Sequence, residues 1–240
     1  MTVILLRHGR STSNTAHTLA GRSDGVDLDD KGAEQAQAIV ERLAGLPIRA
    51  IVRSPLLRCQ RTVEPLAAAL GLDPVVDERI SEVDYGSWTG RKIGDLVKEP
   101  LWAVVQQQPS AAVFPEGEGL AHVQARAVAA VREHDRRLAE LHEGDALWVA
   151  CTHGDVIKSV VADALGTHLD SFQRITADPA SMSVIRYTPL RPFVIHVNHT
   201  GAALTAGLLT KPPKADADGE ADNKDGEVPP EDAVVGGSTD

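Results

Sequence analysis

Two apolar runs in this chain end in a histidine that is followed by glycine. The first, "ILLRHG" at residues 4–9, carries Arg7 directly before His8, and the second, "VACTHG" at residues 149–154, contains His153. An arginine offers planar, fixed donors that match the oxygens of a phosphate, and a neutral imidazole is a competent nucleophile toward phosphorus. These residue types therefore point to phosphoryl transfer.

A second arginine and a pair of carboxylates could complete such a site. Arg58 follows another apolar run in "IVRSPLLR", and Glu82 and Asp84 lie in the glycine-punctuated stretch "ISEVDYGSWTG". Two arginines can neutralise a dianionic phosphate, and a carboxyl group can protonate the alkoxide that leaves when a phosphate ester breaks. Either Glu82 or Asp84 could be this acid, and Asp84 could instead be a turn residue that binds its own backbone.

Alternating strand-like and helix-like stretches must position these residues. Short apolar runs predict strands at 2–6, 50–52, 74–76, 146–151, 182–187 and 193–198. Apolar residues at helical spacing predict helices at 31–45, 56–71, 120–144 and 154–166, and Pro65 is expected to kink or break the second of them. Strands separated by helices predict an α/β fold of three layers, α/β/α, in which helices cover both faces of a mostly parallel sheet.

The predicted sheet brings the chemical groups together. In such sheets a site lies beyond the carboxyl ends of the strands, so Arg7, His8 and His153 are expected at one edge. Ser54 is expected to cap a helix whose first residue is Pro55, which would put Arg58 in the first turn at the same edge.

Composition limits the classes to which the chain can belong. Its 240 residues are 42% hydrophobic, enough for one large core, and no run approaches a membrane span. The start does not resemble a signal peptide, so we expect a cytoplasmic protein. Cys59 and Cys151 are too few for a disulfide framework and are expected to be small buried residues. The net charge of −10 argues against nucleic acid and anionic membranes as partners.

The negative charge is concentrated near the C-terminus. Residues 211–240 hold nine acids and three lysines, and they are rich in Pro and Gly with almost no large apolar residue. Such a segment cannot bury enough apolar surface to offset the entropy of ordering. We therefore predict one domain over residues 1–205 and a disordered acidic tail over residues 206–240, for which a solubilising role is favoured over an interaction role.

Four stretches in order resemble the histidine phosphatase superfamily, the phosphoglycerate-mutase-like group. They are "RHG", "SPLLRCQRT", "EVDYGSWTG" and "THGD", and the match runs from residue 3 to about residue 200. The resemblance implies that His8 is the nucleophile that forms a phosphohistidine and that Glu82 is the proton donor. It also implies that Arg7, Arg58 and His153 form the phosphate clamp.

The same resemblance implies two further contacts. Asn14 in "RSTSN" matches a position that contacts phosphate, and Gly21 in "LAGRSD" matches a backbone contact in the same loop. The position before that glycine often carries a hydroxyl in the mutases and is Ala20 here. The resemblance implies no metal and no other cofactor, because the arginines take the place of a metal ion.

The stretch between Glu82 and His153 bears on the choice of activity. Mutases of this group carry a longer insertion there, with adjacent arginines that grip a carboxylate and shield the phosphohistidine from water. This chain has no such pair before the long predicted helix at 120–144, and its "FPEGEGLAHVQAR" is more similar to short phosphatases, which often carry "PGGES". Gly119 replaces the serine of that motif, and Glu118 is the candidate for any contact from this loop.

We therefore predict a phosphomonoesterase that acts on a small phosphorylated metabolite, since an open pocket admits water. A phosphomutase of the phosphoglycerate mutase type is the alternative. A catalytically inactive phosphate-binding regulatory protein is the second alternative, and the complete set of site residues argues against it. A homodimer is the starting expectation for a soluble enzyme.

Several other residues could bind ligands but are expected not to. The cations Arg22, Arg91, Lys92 and Arg126 are expected to be solvated surface charges, with substrate contact as the alternative. In "HVNH", His196 and His199 would point to opposite faces of a strand, so no metal site is expected there.

Overall fold

The structure is a computed structural model that describes residues 1–142 and 147–201. The predicted tail at 206–240 lies outside the described residues, as do the last two residues of the predicted helix 120–144. Within the described ranges, no helix is both long enough and apolar enough to cross a membrane.

Six strands form one mixed sheet in the order β3-β2-β4-β1-β5-β6. Their bounds are Thr2–Arg7 (β1), Ile48–Arg53 (β2), Val75–Val76 (β3), Leu147–Thr152 (β4), Met182–Tyr187 (β5) and Pro192–His199 (β6). The first four strands are mutually parallel, whereas β5 and β6 pair antiparallel at one edge. The predicted, mostly parallel sheet is therefore confirmed, with an antiparallel edge added.

Seven α-helices are present in the described residues. They are Thr12–Thr15 (α1), Asp30–Arg42 (α2), Leu57–Leu70 (α3), Ile93–Leu96 (α4), Pro100–Gln107 (α5), Leu120–Leu141 (α6) and Gly154–Leu165 (α7). The four predicted helices correspond to α2, α3, α6 and α7, with ends that differ by a few residues. The short helices α1, α4 and α5 were not predicted, because each is too short to show a helical apolar period.

The structure corrects two expectations about α3. Pro65 lies inside this helix, which continues to Leu70, so the expected break does not occur, whereas a kink at Pro65 stays a prediction. Val63 and Leu66 are buried in the layer beneath the sheet, and such packing can maintain a helix across a proline. The helix begins at Leu57, and its N-cap residue is Leu56 with no side-chain capping bond. Ser54 is therefore not the helix cap.

The sheet divides the core into two apolar layers, as the three-layer prediction requires. On β1, Val3 and Leu5 belong to the layer that packs against α6 and α7, whereas Ile4 and Leu6 belong to the layer beneath α2 and α3. This alternation is the period of two that an extended strand imposes on its side chains. Cys59 and Cys151 are free thiols buried in the second layer, as predicted.

Candidate active site

The two histidines leave the sheet side by side. In the parallel register of β1 and β4, Arg7 faces Thr152, and the His8 amide donates to the Thr152 carbonyl oxygen at 3.0 Å. His153 directly follows Thr152, the last residue of β4, and the centroids of the two imidazole rings are 5.2 Å apart. Two adjacent parallel strands that end at the same level therefore bring distant histidines together.

Arg58 joins these two histidines. It lies in the first turn of α3, where its Nε donates to His8 Nε2 at 3.2 Å and its Nη2 lies 3.2 Å from His153 Nδ1. Nη2 also donates to the carbonyl oxygen of Gly21 at 2.8 Å. The side chain is 1% exposed, and its Nη1 is buried without a hydrogen-bond partner among the described residues. A buried cation with an unused donor is suited to binding an anion.

The hydrogen bonds of His8 fix which of its nitrogens can react. Nδ1 is 2.7 Å from the Gly9 carbonyl oxygen, which can only accept, so Nδ1 carries the proton. Nε2 then has the free lone pair and points toward Arg58. Burial lowers the pKa of His8 well below its usual value, and the charges of Arg58 and Arg7 lower it further. The imidazole is therefore neutral and nucleophilic at Nε2.

The other members of the predicted clamp are equally buried. Arg7 is 1% exposed, and its Nη1 donates to the Ala177 carbonyl oxygen at 2.7 Å. Burial lowers the pKa of His153 well below its usual value, and the charges of Arg58, His8 and Arg7 act in the same direction. Two buried guanidinium groups make this edge of the sheet locally basic in a chain of net charge −10.

Glu82 lies beside these groups, and its pKa is raised. Its Oε2 is 3.8 Å from His153 Nδ1, and its Oε1 accepts from the Val83 amide at 2.9 Å. The pKa of Glu82 is raised to about 7, chiefly by burial and also by the nearby charge of Asp155. Arg58, the Val83 amide and Arg7 lower this pKa but do not cancel the rise. A carboxyl group with this pKa can both donate and accept a proton near neutral pH.

Asp84 does not reach the cleft. Its Oδ1 accepts from the amide of Gly86 at 3.0 Å, two residues further on, which is the turn geometry named above as its alternative role. The cleft is lined by Glu82 together with Arg7, His8 and Arg58, but not by Asp84.

Asn14, Gly21 and Ala20 also line the cleft. Asn14 Oδ1 accepts from the Ser11 amide at 2.9 Å, in a reciprocal capping arrangement at the start of α1. Gly21 has a φ of +49°, and a Cβ there would meet Thr89 Oγ1 at 2.8 Å. A side chain at this position would therefore be strained.

Two site residues were not identified from the sequence. Ser54 Oγ is 2.8 Å from His153 Nε2, so the residue expected to cap a helix orients this histidine instead. Thr62 Oγ1 accepts from the Gly9 amide at 2.9 Å and donates to the Arg58 carbonyl oxygen at 2.6 Å. The spacing of four residues from Arg58 is the signal that could have revealed Thr62.

Three of the four cations expected to be solvated at the surface have partners within the protein. Arg126 donates to Glu118 and to three backbone carbonyl oxygens, and Arg22 donates to Glu118 and to the Glu82 carbonyl oxygen. Arg91 pairs with Glu99 at 2.7 Å, and Lys92 is exposed. Glu118 therefore binds these arginines and does not line the cleft.

The prediction for "HVNH" was wrong in its geometry. The rings of His196 and His199 have centroids 5.7 Å apart, so they are neighbours. The cause is an irregular register between β5 and β6 on either side of Val184, where a strict period of two fails. Within residues 1–142 and 147–201, no group of three or more His, Cys, Asp or Glu side chains could hold a metal ion.

Comparison with known proteins relates this geometry to one family. The family model described as histidine phosphatase superfamily (branch 1) matches residues 3–200. Phosphoserine phosphatase 1 of Hydrogenobacter thermophilus is 28% identical over 203 residues, which cover 82% of this chain and 92% of the relative. A protein of Citrobacter koseri named "Probable phosphoglycerate mutase GpmB" is 32% identical over 189 residues, covering 77% and 84%.

A solved structure agrees with these relatives. The one titled "Mycobacterial hydrolase 1" superposes with a TM-score of 0.75 at 25% identity, covering 82% of this chain and 97% of that chain. The family model alone spans most of the chain, including both histidine strands and the Glu82 segment. The chain therefore belongs to the histidine phosphatase superfamily.

Proposed function

We propose that this chain is a metal-independent phosphomonoester hydrolase that forms a covalent phosphohistidine at Nε2 of His8. The observation that carries the proposal is the unprotonated Nε2, which faces Arg58 in a buried cleft that also contains Glu82, a carboxyl group with a raised pKa. Nucleophile, cation and acid thus meet at one cleft, as covalent phosphoryl transfer requires.

The first step transfers the phosphoryl group to the enzyme. Arg7, Arg58 and His153 hold the phosphate oxygens and stabilise the charge that spreads over them in the transition state. His8 Nε2 forms a bond to phosphorus while the phosphorus–oxygen bond to the alcohol breaks. Glu82 gives its proton to the departing oxygen, so that a neutral alcohol leaves.

The second step returns the enzyme to its starting state. The Glu82 carboxylate takes a proton from a water molecule as the water oxygen attacks phosphorus. The bond between phosphorus and Nε2 of His8 breaks, and inorganic phosphate leaves. One carboxyl group can serve both steps because its pKa lies close to neutral pH.

Asn14 and Gly21 support the phosphate in this proposal. The Oδ1 of Asn14 is engaged by the Ser11 amide, which leaves Nδ2 as its donor to a phosphate oxygen. Gly21 acts through its carbonyl oxygen, which holds Nη2 of Arg58.

The proposed substrate is a small phosphorylated metabolite, whose phosphate would meet Arg7, His8 and Arg58 in the cleft. A relative named for phosphoserine hydrolysis supports this class, and the named mutase relative keeps a phosphomutase as the alternative. A homodimer, a cytoplasmic location and the absence of nucleic acid partners stay predictions from the sequence.

The pH dependence of the first step tests the role of Glu82. Because Glu82 donates only when protonated, kcat/KM for an alkyl phosphate should fall as the pH rises through about 7. An aryl phosphate, whose leaving group needs little protonation, should not show this fall. The measurement is the kcat/KM profile of both esters from pH 5 to 9, and identical profiles above pH 7 would contradict the assignment.

The reaction of phosphoglycerate distinguishes hydrolase from mutase. Within the described residues, the cleft lining contains no arginine or lysine except Arg7 and Arg58, so a second anionic group of a substrate meets no further cation there. Phosphorus NMR with 3-phosphoglycerate and catalytic 2,3-bisphosphoglycerate should show inorganic phosphate and no 2-phosphoglycerate. Accumulation of 2-phosphoglycerate would instead establish the mutase. If neither product forms, a panel of phosphomonoesters replaces this substrate.

A further inference from the structure

The segment that carries Glu82 has no regular secondary structure of its own. Residues 81–84 lie between the 3₁₀ turns Glu78–Ile80 and Gly86–Trp88, outside the sheet that positions His8 and His153. A proton donor must lie within hydrogen-bond reach of the leaving oxygen, and a displacement of about 1 Å can cost roughly 10²-fold in rate. The sheet contacts the start of this segment through Thr152 Oγ1, which donates to the Ile80 carbonyl oxygen at 2.6 Å, so the residues that follow need further support.

Arg126, in the second turn of α6, supplies the missing support. Its Nη1 donates to the carbonyl oxygens of Arg79 at 2.7 Å and Ser81 at 2.8 Å, and its Nη2 donates to that of Glu82 at 3.1 Å. The guanidinium thus binds three carbonyl oxygens around the acid. Its side chain is only 10% exposed, so these bonds are shielded from water.

Glu118 fixes the guanidinium in turn. Arg126 Nε donates to Glu118 Oε1 at 3.0 Å and Nη2 donates to Oε2 at 2.9 Å, a bidentate pair that uses the remaining donors of the guanidinium. All five N–H groups of Arg126 therefore have acceptors. Glu118 Oε2 also accepts from the Asp84 amide at 3.0 Å, on the other side of the acid. A lysine has three donors and could not reproduce this pattern.

Arg22 connects the same carboxylate to the phosphate clamp. Its Nη2 donates to Glu118 Oε2 at 2.8 Å, and its Nε donates to the Glu82 carbonyl oxygen at 2.9 Å. The preceding residue, Gly21, holds Arg58 through its carbonyl oxygen. A continuous set of bonds thus runs from the clamp through residues 21 and 22 to the backbone of the acid.

We infer that Arg126, held by Glu118, is the positioning residue that sets the place of the Glu82 carboxyl group relative to the bound phosphate. Arg126 touches neither phosphate nor leaving group, and it acts through the backbone on either side of Glu82. The inference rests on the proposed function. It assigns to Arg126 and Glu118 an indirect role in protonation of the leaving group. Arg126 is then neither a solvated surface charge nor a substrate contact, and Glu118 is not a substrate contact.

The test compares two esters in the Arg126→Met variant of the full chain. If Arg126 places the acid, kcat/KM for an alkyl phosphate should fall by about 10²-fold, whereas that for p-nitrophenyl phosphate should fall less than about threefold. In the Glu82→Gln background, the same substitution should cause almost no further loss on the alkyl ester, because no proton donor is left to misplace.

Arg132→Met is the matched control. It lies on the same helix and pairs with Asp163 at the surface, and it should change neither rate.

Equal losses on both esters, or a full further loss in the Glu82→Gln background, would show a general structural role and overturn the inference. If Arg126→Met does not fold, Arg126→Lys serves as the second variant. It should show a smaller loss of kcat/KM that is again confined to the alkyl ester. An equal loss on both esters in this variant would contradict the inference. Wild-type protein that hydrolyses neither ester would refute the proposed function itself, which separates the two failures.

Discussion

Replacement of His8 by alanine should abolish turnover of every phosphomonoester that the wild-type protein hydrolyses. The expected fall in kcat is on the order of 10⁶-fold, the size of loss that follows removal of a covalent nucleophile in hydrolases. The reason is that Nε2 of His8 is the proposed nucleophile, since Nδ1 is bonded to the Gly9 carbonyl oxygen. The measurement combines steady-state rates with acid quenching, in which the wild type yields an acid-labile phosphoenzyme and the variant yields none.

The control for this substitution is His168→Ala, since that imidazole is 71% exposed and does not line the cleft. It should keep both turnover and the phosphoenzyme. A His8→Ala protein that still forms acid-labile phosphoenzyme would move the nucleophile to another residue, of which His153 is the nearest candidate. Thermal unfolding of both variants checks that a loss of rate is not a loss of fold.

Substitution of Glu82 by glutamine should slow poor leaving groups selectively. An alkyl phosphate should lose about 10²- to 10⁴-fold in kcat/KM, the range that a positioned general acid contributes, whereas an aryl phosphate should lose little. Glutamine keeps the shape of the side chain but cannot transfer a proton, so the change isolates the chemistry. The measurement is kcat/KM for a series of esters with alcohols of increasing acidity. The dependence of rate on leaving-group pKa should become much steeper in the variant.

Asp84→Asn provides the comparison, because Asp84 is two residues away and its carboxylate binds the Gly86 amide outside the cleft. Its effect should be the same for all esters in the series. The assignment of the acid fails if Glu82→Gln slows alkyl and aryl phosphates equally, or if Asp84→Asn shows the steeper leaving-group dependence instead.

Among the proposed site residues, those at the ends of strands were the easiest to place from the sequence. Arg7, His8 and His153 follow apolar runs directly, and parallel pairing forces the carboxyl ends of β1 and β4 to the same edge. Local pattern and sheet geometry thus sufficed to bring together residues about 145 positions apart. The core also followed from pattern, since the alternating faces of β1 match the two apolar layers.

Expectations failed where a local pattern has more than one physical outcome. The sequence Ser54-Pro55 is a standard helix start, yet α3 begins two residues later and the serine hydroxyl contacts His153. The two histidines of "HVNH" are neighbours because the register of β5 and β6 is irregular, which no period of two reveals. In each case a contact with a distant segment decided between alternatives that are locally similar in energy.

The sequence by itself determined the family and the α/β fold. It also identified the nucleophile, the two arginines and the second histidine that are proposed for the site, because these residues lie in motifs at or near the ends of strands. Only the tertiary structure decided which carboxylate faces the proposed phosphate clamp and has a raised pKa. Glu82 and Asp84 lie in one irregular segment without a period to orient them, and Arg126, some 44 residues further along the chain, holds that segment. The raised pKa of Glu82 has the same origin, since burial and the charge of Asp155 arise only when the chain folds.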